Sequence, residues 1–138
     1  MILSDHFISL NVKISAIFRK IAGHYGLSFS QYSIIMSIAP SGITMSQLAN
    51  KMGIDKSTLT RNINILINKN LVHKEKDVQD LRVYNLLLSD SGEILREKLY
   101  MELDQFTSKI LNSLDDSLQH EISLLDKLIQ KIDSHEII

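Results

Sequence analysis

Lys56, Ser57, Thr60, Arg61, Asn64 and Asn68 recur at helical spacing, while Leu59, Ile63, Leu66 and Ile67 fall on the opposite side of the same helix. Thr58 lies near the helix start, Asp55 stands where an N-cap belongs, and no acid follows it until Glu75. Hydroxyls can bond phosphates or base edges, Asn can pair with adenine, and Arg can bond guanine in bidentate fashion. A merely solvated helix would usually mix in Glu. Such a face suits the major groove of duplex DNA. Farther along, Lys74, Lys76 and Arg82 flank a polar tip containing Asp77 and Asp80. An Arg at a strand edge can enter a narrow minor groove, where the negative potential is deepest. Asp80, two residues earlier, can hold that guanidinium in its inserting rotamer. As a bare surface ion pair it would be worth only about 0–1 kcal/mol, so its place after the hydroxyl-rich helix gives it meaning.

The elements that must position these groups are legible from periodicity. A first amphipathic helix spans 2 to about 24, with Leu3, Phe7, Leu10, Ile14, Ile17 and Ile21 in a heptad-like seam ended by Gly23 and Gly26. Ser28 or Ser30 caps a second helix over about 30–39, stopped by Pro40-Ser41-Gly42. Thr44-Met45-Ser46-Gln47 has capping-box form and opens a third helix. Gly53 allows a tight turn into the fourth, and Asn70 takes the left-handed position after it. Two strands are expected at Leu71–Lys76 and Leu81–Leu88, with 77–80 as the hairpin tip. Ser89 caps a long fifth helix through Leu95, Leu99, Leu103, Phe106, Ile110 and Leu114. After Asp115-Asp116, a sixth carries Leu118, Ile122, Leu125, Ile129 and Ile132.

The expected fold is therefore mainly α (α+β): a winged helix-turn-helix over 30–88, with long helical parts at 1–24 and 89–138, all in one chain of 138 residues. The apolar stripes of the terminal helices would lie exposed unless they met a second copy. Leu3, Phe7, Leu10, Ile14, Leu118, Ile122, Leu125, Ile129 and Ile132 are accordingly the expected homodimer interface.

Composition narrows the remaining classes. Five Gly and one Pro argue against an all-β sandwich, and zero Cys excludes disulfides, thiolate metal sites and thiol redox sensing. Apolar runs fall far short of the ~20 residues that span a bilayer, and the start Met1-Ile2-Leu3-Ser4-Asp5 lacks a secretory pattern, so a soluble cytoplasmic protein is expected. The net charge of −1 hides an asymmetry: residues 46–88 carry seven bases against four acids, and residues 89–138 five bases against eleven. His6, His24, His73, His120 and His135 form no i, i+3 or i, i+4 pair, which argues against a metal site. No G-x-S-x-G, H-E-x-x-H, phosphate-binding loop or dinucleotide fingerprint occurs, so no enzyme and no cofactor are expected.

At this point the chain resembles the MarR family of bacterial transcriptional regulators. The resemblance lies in Gln47-Leu48-Ala49, the run Gly53-Ile54-Asp55-Lys56-Ser57-Thr58-Leu59-Thr60-Arg61, Leu71-Val72, Asp77, Asp80-Leu81-Arg82 and Leu88-Ser89-Asp90-Ser91-Gly92. It implies an obligate homodimer whose winged domains bind a palindromic operator in double-stranded DNA, commonly as a repressor. Departures are Asn70, where the family usually has Gly, and a wing poor in bases. The resemblance also implies a small aromatic ligand between the DNA-binding and dimer parts, for which Phe18, Tyr25, Tyr32 and Met36 are candidate lining residues. The alternative is a winged-helix module that binds a protein; such modules typically lose the basic, hydroxyl-rich face that Arg61 and Arg82 keep here.

Overall fold

The structure is a computed structural model that describes residues 2–134, without the side chains of 118–120. Its elements run α1 (Leu3–His24), α2 (Phe29–Ser37), β1 (Ile43–Thr44), α3 (Met45–Met52), α4 (Lys56–Asn68), β2 (Val72–Lys76), β3 (Tyr84–Leu88), α5 (Asp90–Asn112), a 3-10 turn (Asp116–Leu118) and α6 (Gln119–Ser134). This is the mainly helical winged helix-turn-helix expected from the periodicity. Two compact units are present, one ending at Leu103 and the other beginning at Asp104.

In the first unit, local side-chain bonds set the helix starts. Ser28, rather than Ser30, caps α2: its hydroxyl accepts from the Gln31 amide while the Gln31 side chain accepts from the Ser28 amide. Thr44 and Gln47 make the same reciprocal pair at α3. α2 stops at Ser37, two residues short of the expected end, because Ile38 is already extended on the approach to Pro40. Gly23 stays helical; α1 ends after it, at His24, and Gly26 takes the left-handed turn at φ 67°.

The sheet is three-stranded and antiparallel, in the order β1-β3-β2. β2 and β3 pair from Val72 opposite Leu88 to Lys76 opposite Tyr84. β1 was not expected: two residues show no alternation, and they form a strand only because the open edge of β3 bonds them, Ile43 opposite Leu86. β3 begins at Tyr84, three residues later than expected. The Asp80 carboxylate accepts from the Arg82 amide and the Asp80 carbonyl from the Val83 amide, which curls Leu81–Val83 into a turn despite their strand propensity. Ile34, Ile35 and Ile38 from around α2, Leu48 of α3, Leu59, Ile63 and Leu66 of α4, Leu86 of β3 and Leu99 of α5 fill the core, joined by Ile21 and Ala22 of α1.

The second unit holds the end of α5, the 3-10 turn that separates Asp115 from α6, and α6 itself. Ile110, Leu111, Leu114, Ile122, Leu125 and Leu128 line an apolar cleft of about 610 Å³ within it.

Candidate nucleic-acid interface

Three buried residues, Leu59, Ile63 and Leu66, seat α4 against the core and so choose which side faces outward. Lys56, Ser57, Arg61, Asn64 and Asn68 are exposed, while Thr58 and Thr60 are half-buried. Asp55 caps the helix: its carboxylate accepts from the Thr58 amide at 2.7 Å and from both the Ser57 and Thr58 hydroxyls. The Thr60 hydroxyl donates to the Lys56 carbonyl at 2.7 Å. All three hydroxyl protons are thus committed within the helix. A phosphate, which only accepts, could take them only by displacing these bonds. The side chains of Arg61 and Asn64, by contrast, make no hydrogen bond or ion pair with other described residues. The outward face also carries Ile65, which the polar pattern hid; an exposed aliphatic group there suits the methyl of thymine.

These bonds, first from the Ser57 hydroxyl and then from Thr58, hold the Asp55 carboxyl down at about 2 against an ordinary 3.8. The cap is therefore fully formed above pH 3.8 and lost as pH falls through about 2. Asp55→Asn keeps a capping oxygen but does not titrate. The gap in thermal midpoint between wild type and Asp55→Asn should narrow as pH drops from 5 toward 2, and a constant gap would contradict this assignment.

The wing is organised by two carboxylates. Asp77 accepts from the Gln79 and Asp80 amides through one oxygen and from the Asn85 side chain through the other, bonds that lower its pKa. Asp80 takes the Arg82 guanidinium in a two-bonded grip, Nε at 3.1 Å and an η nitrogen at 3.2 Å. That grip is the chief cause of its own lowered pKa. Arg82 remains 90% exposed beyond it. Lys74 and Lys76 lie exposed on β2. The spacing of Asp80 and Arg82 was a readable signal; the bracing by Asp77 and Asn85 was not, because it closes across the hairpin.

Lys56 and Arg82 line one cleft of about 430 Å³, together with Thr44, Met45, Ser46, Val83 and Tyr84. Two cations beside the first turn of α3 form a seat suited to a backbone phosphate. The α3 contribution had no separate signal in the sequence.

The other expected sites are distributed as follows. Leu3, Phe7, Leu10 and Ile14 are exposed along α1, and Ile122, Leu125, Ile129 and Ile132 along α6. The side chains of Leu118 and His120 lie outside the described residues, as does His135. Tyr32 is buried, with its ring 5.3 Å from that of Phe18, and Phe18, Tyr25 and Met36 pack partly buried against the same core. Desolvation and a hydrogen bond to Glu102 raise the Tyr25 pKa, and Glu102 also pairs with His24. No helix among the described residues is long and apolar enough to cross a membrane.

Comparison with known proteins agrees with this geometry. A MarR family profile matches residues 25–82, which hold α2 through β2 and end at Arg82, short of β3. The chain is 27% identical over 94 residues to the uncharacterized HTH-type transcriptional regulator YhbI of Bacillus subtilis (strain 168), covering 67% of this chain and only 61% of that protein. It is 24% identical over 143 residues to the HTH-type transcriptional repressor MdtR of the same organism, covering 96% of this chain and 92% of MdtR. Among solved structures, NadR in complex with 4-hydroxyphenylacetate shares the fold at a TM-score of 0.83 and 23% identity, over 99% of this chain and 95% of that one. The segment 25–82, which presents α4, is thus similar to the MarR family of transcriptional regulators, and the chain shares its fold with these solved structures.

Proposed function

We propose that the protein is a homodimeric repressor that binds a palindromic operator in double-stranded DNA and is released by a small aromatic ligand. The observation that carries this reading is the outward face of α4, where Lys56, Arg61 and Asn64 stand exposed on a helix without acids after its cap. Arg61 and Asn64 read base edges in the major groove, with Ser57, Thr58 and Thr60 close by. Lys74, Lys76 and Arg82 of the wing reach backbone and minor groove, with Asp80 steadying Arg82. Two copies place their α4 helices in successive major grooves, about 34–36 Å apart.

Duplication is supported by the apolar side chains that both terminal helices leave exposed in a single chain, Phe7 and Leu10 on α1 and Leu125 and Ile129 on α6 among them. A repressor role is supported by the likeness to MdtR. Ligand release is supported by the Phe18–Tyr32 ring pair with Tyr25 and Met36 beside it, and by the aromatic acid held in NadR. A coupling of about 1–3 kcal/mol would weaken operator binding some five- to 150-fold.

Titration against salt tests the DNA reading. Counterion release makes log K fall with log salt at roughly −0.9 per phosphate neutralised, so a dimer using several cations shows a steep slope. A shallow slope, with capture of a protein instead, would favour the alternative of a protein-binding module. Arg82→Ala should weaken binding most on operators with A·T-rich flanks, measured by fluorescence anisotropy on matched duplexes. Equal loss on every flank would remove the minor-groove role.

A further inference from the structure

The C-terminal end of α4 does not simply run out into a loop. Asn70 adopts the left-handed conformation at φ 57°, and the Leu71 amide returns to the Leu66 carbonyl at 3.0 Å. Ser89 then joins this end to α5 from three directions. Its hydroxyl donates to the Asn70 carbonyl at 2.6 Å and accepts from the Gly92 amide at 3.0 Å, while its own amide donates to the Leu71 carbonyl at 3.0 Å. Gly92 lies so close that a Cβ there would stand 2.1 Å from the Leu71 carbonyl oxygen. One turn farther along α5, the half-buried Arg96 guanidinium bonds the Ile38 carbonyl at the end of α2 and pairs with Glu93.

An N-cap needs only the hydroxyl-to-amide bond. The additional bonds to two consecutive carbonyls, and the backbone contact that only glycine permits, tie the first turn of α5 to the end of α4. We propose that Ser89, Gly92 and Asn70 form a rigid joint that positions the recognition helix, so that the direction of α4 is set by α5. These are positioning residues: they touch no DNA and act by fixing where Arg61 and Asn64 arrive. The proposal rests on the reading of α4 as the DNA-contacting helix of a dimer, and it adds where the separation of the two helices is determined.

The test uses the full chain and a set of duplexes in which two inverted half-sites are moved apart one base pair at a time. Each added base pair shifts a half-site by about 3.4 Å and rotates it by about a tenth of a turn, so a rigid dimer should favour one spacing by at least about tenfold over its neighbours. Ser89→Ala removes both hydroxyl bonds without adding bulk, leaving the Ser89 amide bond to Leu71, and should flatten that preference to within about threefold or move its optimum, with helix content unchanged. Ser89→Thr, which keeps the hydroxyl, should restore the wild-type profile. Gly92→Ala should disturb it at least as much where it folds.

A merely structural role would lower affinity evenly at all spacings. An unaltered spacing preference in Ser89→Ala would therefore overturn the joint. Arg61→Ala is the control for the underlying reading and should lose base preference while keeping the spacing optimum. Wild-type base preference in Arg61→Ala would overturn the proposal by removing the role of α4 on which it stands.

Discussion

Leu125→Asp should abolish the proposed homodimer and, with it, the proposed tight operator binding. Leu125 is 52% exposed in the single chain and lines the apolar cleft between the end of α5 and α6. A carboxylate there costs a lone chain little, because water reaches it. In the proposed dimer the same position would be covered, and an unpaired buried charge destabilises by roughly 3–5 kcal/mol. The change occurs in both copies, so dissociation should rise by several powers of ten. Light scattering after size exclusion reads the result directly: wild type at twice the chain mass, Leu125→Asp at the chain mass. A variant that remains dimeric at wild-type concentration would show that α6 is not the seam.

Arg61→Ala should cost about 1–3 kcal/mol in operator binding and relax preference at one base position per half-site. The guanidinium sits in the middle of the outward face of α4, exposed and without a partner among the described residues. Its neighbours are less available. The Thr60 hydroxyl is turned back onto Lys56, and those of Ser57 and Thr58 onto Asp55. Substituting those hydroxyls should therefore cost less than removing Arg61. Binding measured across single-base operator variants separates the outcomes: selective relaxation marks a base contact, and uniform loss marks a phosphate contact.

The parts of the fold that were legible in the sequence are those set by bonds within a few residues. The Thr44–Gln47 box, the Asp55 cap and the left-handed Asn70 each satisfy backbone groups locally, so residue type and spacing suffice to place them. The buried stripe of α4 follows from 3.6-residue periodicity alone. What escaped depends on contacts between distant segments. β1 exists only because β3 offers an edge, and Gly92 reads as an ordinary helix residue until Leu71 is packed on it. The late start of β3 is a different failure: the Asp80 side chain outbids the strand propensity of Leu81 and Val83. At the candidate site, the residue types on α4 and the wing were readable, whereas the inward commitment of the hydroxyls depends on side-chain rotamers, and the cleft shared by Lys56, Arg82 and the start of α3 on segments distant in the chain.

Selection of bound sequences from a random duplex library is the measurement that bears most directly on the central claim, that the outward side of α4 reads bases in duplicate. Enrichment of an inverted repeat is predicted, its half-sites about 10 base pairs apart centre to centre, as two copies in successive major grooves require. Recovery of a single unrepeated motif, or of no motif at all, would contradict it.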